Sequence, residues 1–439
     1  MAKHADVLVL GAGVTGLAAA MASGGTVLEA QSLPGGICRS YYMTRSGERL
    51  AELPADAEAY RFEVGGGHWI FGEDPIVTDF LRRRSNLRFY ERRSAVFFRE
   101  DGIYVPYPIQ NHLAYLKPSL ATRALEEMVL ARPIVRPSTT MRDWLHMAFG
   151  ETLSDLFFDP FHKLYTAGLW DRIAPQDPHK SPVSVHDIVA GMTGQAGAVG
   201  YNATFMYPNE GLNTLVSRLS SECQIEYGCR VERVDTQAGV VYCNGGRTWS
   251  YDRLISTLPL DEMARVADVK VPPREDPATS VLVINMGVEK GSACPEDHWV
   301  YVPHSQAGFH RVGFYSNVDA TFLPVSRREA GTHASVYVEF AFGRGARPDE
   351  GTARSIIAQT ARELSEWGWI RSVEVSDWNW VETAYTWTWP ASNWREHALR
   401  ELANRGILQI GRYGRWRFQG IVASLREGFV AGGSSYRPT

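Results

Sequence analysis

The sequence predicts an α/β protein: a parallel-sheet nucleotide-binding domain carried in separate pieces, with a mainly helical region and an antiparallel sheet inserted between them. Three observations predict it. A short apolar run near the N-terminus passes directly into a glycine-rich turn and a helix-forming stretch. Residues 108–195 lack strand alternation and hold runs such as TRALEEMVLA and TMRDWLHMAFGETLSDLFF, which read as helix. Residues 280–342 alternate strongly (VLVINMGV, HWVYVP, HRVGFYSN, SVYVEFAF), as antiparallel strands do.

The N-terminal element comes first. Residues 7–10 (VLVL) form a continuous apolar run, suited to a strand buried on both faces. Gly11, Gly13 and Gly16 follow as G-x-G-x-x-G. The first allows a tight turn, the second lets backbone approach a pyrophosphate, and the third lets helix and strand pack closely. LAAAMA at 17–22 is helix-forming, so the amides at its start face the phosphates with the helix dipole behind them. Val27-Leu28-Glu29 reads as a second strand with an acid at its end. Glu29 can accept from a ribose 2′-hydroxyl and disfavours a 2′-phosphate, which argues against NADP as the bound nucleotide. Gly35 and Gly36 provide a second close backbone approach. This Rossmann-like arrangement, with its E-x-x-x-x-x-G-G spacing, resembles the FAD-binding domains of the glutathione-reductase type. The stretch from Gly16 to Glu29 is several residues shorter than is usual in them.

The remaining pieces follow in order. FEVGGGHWIF, near residue 66, is a second glycine cluster, and residues 76–107 mix strand signals with a run of arginines. YNATFMYPNEGLNTLVSRLS returns to strand, turn and helix, and IEYGCRVERVDTQAGVVYCNGGRTWSYDRLISTLP alternates with turns like a meander. A helix is predicted near 352–367. ILQIGRYGRWRF closes the chain with a strand, a glycine turn and a short helix after it. The predicted division is a discontinuous FAD-binding domain at 1–75, 205–262 and 403–439. A mainly helical region occupies 108–195. An antiparallel-sheet substrate domain takes 76–107, 196–204 and 263–402.

Composition narrows the function. A chain of 439 residues with 44% hydrophobic residues, 21% charged residues and a net charge of −4 has no basic excess to suggest nucleic acid. No stretch reaches the roughly 18 apolar residues of a membrane span. The N-terminus enters the first strand directly, so a signal peptide is not expected. Five scattered cysteines match neither a disulfide framework nor a metal site and point to a reducing cytoplasm. The thirteen tryptophans could fill a core or line a site.

Three glycines before His68 permit close backbone approach to a planar ligand. Alone, the run also reads as a turn before a core histidine; beside the N-terminal motif it places Gly66, Gly67 and His68 against an isoalloxazine ring. FEVGGGHWIF, RRSAVFFREDGIYVPYPIQNHL, GYNATFMYPNEG, YDRLISTLP, GFHRVGFYSN and GRYGRWRF occur in that order over nearly the whole chain. This succession resembles the UDP-galactopyranose mutases, and more broadly the protoporphyrinogen-oxidase and amine-oxidase-like flavoproteins.

The resemblance implies reduced FAD as the covalent catalyst of a redox-neutral pyranose–furanose interconversion. Flavin N5 would attack the anomeric carbon of a nucleotide sugar. NAD(P)H stands as a candidate external reductant. It implies roles for His68 at the flavin, Arg311 as a diphosphate clamp, Arg412 near the flavin and Val231 beside adenine. Asn202 and Phe205 match the nucleotide pocket, and Tyr301 and Tyr385 are candidate sugar or phosphate contacts. Two departures stand out. The segment expected to bring a second arginine reads PHKSPV, where Lys180 offers a point charge without a fork, and Phe418 stands where a tyrosine is usual. The runner-up reading is an FAD oxidase or dehydrogenase acting on a small metabolite. A non-catalytic flavoprotein-like binding module is the third reading, and the retained glycine clusters argue against it. The sequence sets no oligomeric state.

Overall fold

The computed structural model describes residues 3–72, 74–131, 136–137, 139–175, 184–193 and 203–433. The fold is mixed α/β with several sheets. Lys3–Leu10 pairs in parallel with Thr26–Leu28 on one side and with Thr248–Ser256 on the other, and Gln224–Glu226 and Ile407–Gln409 extend the parallel set. Strands from the two ends and the middle of the chain therefore share one sheet. Val231–Asp235 and Val240–Cys243 add an antiparallel meander at its edge. Leu8, Val9 and Leu10 are wholly buried because helices or other elements cover both faces.

The helix Val14–Ser23 lies against this sheet and crosses the last described helix, Ile421–Gly433. The crossing is close because the second helix presents Gly428 and Gly432 to the first. A Cβ at either would overlap the carbonyl of Thr15 or Ala19. Alanines 18, 19 and 20 complete the contact with almost no exposure. Small residues four apart thus fix one helix on the other by shape.

The second large sheet has the order Ile370–Thr386, Ala278–Lys290, His333–Gly343, Arg311–Phe314, Trp299–Tyr301, Ser94–Phe98, Ile103–Pro106. Its pairs are antiparallel, except that Trp299–Tyr301 runs parallel to Ser94–Phe98. Glu350–Glu366 packs behind it, started by Asp349, whose carboxylate accepts from Thr352 N at 2.7 Å. Thr204–Pro208 pairs with Leu87–Glu91 as a separate two-stranded sheet.

Pro118–Leu130, Met141–Leu153, Asp159–Tyr165 and Val185–Met192 are α-helices, and a single π-helical turn, Ser154–Phe158, joins the second to the third. Thr140 and Asp143 form a capping box at the start of Met141–Leu153. At Gly150 the backbone turns to φ 76°, and a Cβ there would strike Glu127. The Glu127 carboxylate accepts from Thr152 N and Oγ1, both at 2.8 Å. The kink and the π turn aim Phe157 and Phe158 at the cavity described below. The tryptophans serve both expected uses: Trp369, Trp387, Trp394 and Trp416 are core, whereas Trp69, Trp144, Trp299 and Trp380 face that cavity. All five cysteines are free thiols. No helix among the described residues is long and apolar enough to cross a membrane.

Candidate active site

A cavity of about 740 Å³ lies where the parallel sheet, the large antiparallel sheet and the helices meet, within the size range of cofactor and ligand sites. One part of its wall is almost side-chain-free. Gly11 sits at φ +96°, and a Cβ there would be 2.5 Å from Thr257 Oγ1. Gly16 has no space for a Cβ because Gly11 O occupies it. Gly13 differs: nothing lies within 4 Å of its Cβ position. It is the N-cap of Val14–Ser23, which has no side-chain cap and no acid in its first turn. The helix start therefore offers uncapped N–H groups and open space beside them, which suits an anion. Gly35 bridges Gly13 and donates to Ala12 O at 2.8 Å, and Gly36 follows at φ +58°.

Glu29 follows the second strand, as expected, and it has a job within the protein. Its Oε2 accepts from Ala12 N and its Oε1 from Gln31 N, both at 2.8 Å, so it ties the glycine turn to the strand end. Arg39, whose Nε donates to Gly36 O at 3.1 Å, adds a cation to the same wall. An uncapped helix start, an open Gly13, a nearby guanidinium and an acid at the second strand end fit a dinucleotide.

The Gly65–Gly66–Gly67 run has a reason the sequence did not disclose. A Cβ on Gly65 would meet the His68 ring at 2.6 Å, one on Gly66 would meet Glu339 Oε1 at 2.6 Å, and one on Gly67 would overlap the Tyr337 hydroxyl. The glycines admit protein atoms from the far sheet as much as they open a face to a ligand. His68 N donates to Gly66 O at 2.8 Å, and the buried Nδ1 has no partner among the described residues. Burial, with the positive charges of Arg412 and Arg311 behind it, pushes the His68 imidazole down to about 4, so the ring is neutral at neutral pH.

Beyond this turn stands a buried charge pair. Arg311 donates from Nε to Glu339 Oε2 at 3.0 Å and from one terminal nitrogen to both carboxylate oxygens at 2.6 Å. Burial works to raise the Glu339 carboxyl, but the Arg311 charge and the neighbouring His310 overcome it and hold it at about 2. His310 Nε2 lies 3.5 Å from the same oxygen. Arg412 is different in kind. It donates to Ala384 O at 3.1 Å and rests 4.7 Å from the Phe418 ring centroid and 5.5 Å from that of Tyr385. Among the described residues no carboxylate pairs with it.

Aromatic rings close the remaining wall. Tyr107 and Tyr301 lie 4.7 Å apart, Phe161 and Tyr301 5.4 Å, and Tyr165 and Tyr385 4.7 Å. Burial, aided by Glu339, pushes the Tyr385 hydroxyl up to about 12, so it stays protonated and can donate.

The structure thus brings His68, Tyr301, Arg311, Tyr385 and Arg412 to one cavity with Gly11, Gly13, Gly35, Gly36 and Gly67. Phe205 does not reach the wall. It is 2% exposed, stacked 5.2 Å from Tyr90 and set 5.3 Å from Trp69, because its strand faces the core behind Trp69. Val231 opens the meander strand opposite Cys243, with its side chain in a separate apolar core. Lys180 and Asn202 lie outside the described residues. The sequence reading missed Glu339, Tyr337, His310 and Arg39. The available signal for Glu339 is an acid in the middle of the strand SVYVEFAF, on the face opposite Val336, Val338 and Phe340.

Residues 24–424 match the family described as flavin containing amine oxidoreductase. The chain belongs to that family. Flavin chemistry and an FAD cofactor follow from flavin containing amine oxidoreductase membership, and the glycine cradle is the part of the chain that fits FAD. Solved structures agree on the fold. Reduced UDP-galactopyranose mutase superposes with a TM-score of 0.81 at 23% identity, covering 97% of this chain and 94% of the other. A protoporphyrinogen-oxidase-like protein from Exiguobacterium sp. 255-15 gives 0.69 at 14% identity, covering 98% of each chain. A redesigned putrescine oxidase gives 0.60 at 15% identity, covering 98% and 99%. This chain thus shares one architecture with a mutase and with oxidases.

Proposed function

We propose that the protein is a flavin-dependent nucleotide-sugar mutase that interconverts the pyranose and furanose forms of an activated sugar without net redox change. The observation that carries this reading is the pair of guanidinium groups, Arg311 and Arg412. Both line, with buried His68, one aromatic-walled cavity. Such a site suits an anionic substrate headgroup presented to a cofactor, and the mutase likeness supports it.

In this reading the cofactor domain is discontinuous and of the glutathione-reductase type. The helix start at Gly13, Gly35-Gly36 and Arg39 would hold the FAD pyrophosphate, Glu29 the ribose, and the turn at Gly66–His68 the ring system. Val231 contributes its backbone near adenine. Reduced FAD, when bound, supplies the electron pair for bonding to the sugar carbon. The protein does the rest. Arg412 and Arg311 face the diphosphate, and Tyr301 and Tyr385 donate to sugar or phosphate oxygens. Neutral His68 accepts one hydrogen bond at Nδ1, and the aromatic wall excludes water, which strengthens these contacts. No side chain in the cavity need act as nucleophile.

One observation favours a second reading, an FAD oxidase or dehydrogenase for a small metabolite. Glu339 already neutralises Arg311, and among the described residues no carboxylate pairs with Arg412. The two readings separate in one assay series with UDP-, TDP- and GDP-sugars. A mutase converts substrate only after the flavin is reduced and consumes no reductant per turnover. Peroxide or reduced acceptor formed in proportion to product, with oxidised flavin as the starting state, overturns the mutase reading.

A further inference from the structure

Glu339 is 2% exposed, and it is built into three things at once. It grips the Arg311 guanidinium with three hydrogen bonds of 2.6–3.0 Å. It faces His310, itself 1% exposed. Its Oε1 occupies the place where Gly66 would carry a Cβ, at 2.6 Å, so the carboxylate lies directly against the turn that leads to His68. A buried ion pair is a costly way to hold a strand together, because both ions lose their hydration and an apolar pair of equal volume often serves as well. Its place at the wall of the cavity, against the turn that has no room for a side chain, suggests a use other than stability.

We infer that Glu339 is a positioning residue: it locks the Arg311 guanidinium in one orientation at the cavity wall, and the Glu339–Arg311 pair sets the local charge beside the Gly66–His68 turn and thereby the redox poise of the flavin held there. The inference rests on the reading that FAD lies against that turn. The expected physics is simple. A fixed negative charge near the ring disfavours added electrons, and a fixed positive charge favours them. The intact pair nearly cancels; each partner alone does not.

The test is a double-mutant cycle on the FAD-loaded protein, with the flavin midpoint potential as readout. Glu339→Gln leaves Arg311 unpaired and should raise the potential. Arg311→Met leaves Glu339 unpaired and should lower it. The double variant E339Q/R311M carries no buried charge and should return towards the wild-type value. It also guards against misfolding, since a neutral pair of similar volume keeps the packing. KM for the converted substrate should rise at least about tenfold in Glu339→Gln, because the freed guanidinium loses its orientation. Potential shifts of the same sign in both single variants, or none in either, overturn the inference: a merely structural pair gives no opposite signs. A wild-type protein that takes up no FAD overturns the cofactor reading beneath it, an outcome seen before any variant is made.

Discussion

The two parts of the cavity are made of different material. The cradle at Gly11–Gly36 is backbone, shaped by glycines within about 25 residues of one another. The chamber around Arg311 is side chains, delivered by strands, helices and turns from widely separated stretches of chain. The cradle acts through N–H groups and a helix dipole, which exist once the local turn exists. The chamber acts through a cancelled ion pair, a second guanidinium and a shell of rings, none of which exists until distant segments pack. The chamber should therefore be the part that fails most abruptly when one group is removed, and the cradle should tolerate change except where backbone meets backbone.

The largest effect is expected at the chamber's centre. Arg311→Ala leaves the Glu339 carboxylate buried without its partner and should cost about 3–5 kcal/mol of stability, read from denaturant midpoints. E339Q/R311M should restore most of that loss; equal instability of the double variant would mean that packing, not charge, holds this point. Next comes the cradle's own tight spot. Gly16→Ala places a methyl on Gly11 O and should cost about 1–3 kcal/mol, with loss of bound FAD.

Acid should act through the histidines before the ion pair. His68 and His298 are both pushed down to about 4, by burial first and by nearby arginines second. Each binds its proton more readily in the unfolded chain. Their contribution to stability is present above pH 6.5 and is lost as pH falls towards 4. Glu339, held at about 2 from an ordinary 4.5, adds a second loss between those values. A stability–pH profile should thus slope in two stages, and His68→Asn should flatten the upper one; an unchanged profile would show that His68 is not buried neutral. The smallest effect on the fold is expected at Gly13→Ala. The backbone there is at φ −70° and its Cβ position is open, so stability should stay within about 0.5 kcal/mol. FAD affinity, measured by fluorescence titration, should still fall about tenfold if the pyrophosphate approaches that carbon. Set beside Gly16→Ala, it separates a glycine needed for packing from one needed for a ligand.

How much could be read beforehand follows the same division. The order strand, glycine turn, helix, second strand and Glu29 was legible because each residue's partner lies nearby in sequence. The strong alternation at 280–342 likewise announced the antiparallel sheet. Glu339 was not legible. Val336, Val338 and Phe340 occupy one face of its strand in an apolar core, and period two puts Ser335, Tyr337 and Glu339 on the other face without saying what covers it. That second face is buried as well, against the Gly65–Gly67 turn and the cavity. Phe205 shows the converse: its residue type suited a binding pocket, but its strand turned it into the core.

By itself the sequence determined the glycine cradle, the acid that completes it and the set of strands and helices around it, because turns, dipoles and periodicity are local properties of a chain. Tertiary structure alone decided that the three glycines before His68 make room for Glu339 and Tyr337, that Arg311 is paired with Glu339 while Arg412 rests on Ala384 O and aromatic rings, and which rings wall the chamber. Those facts depend on which distant side chains share a low-dielectric space, and charge pairing and desolvation have no value until that space is closed.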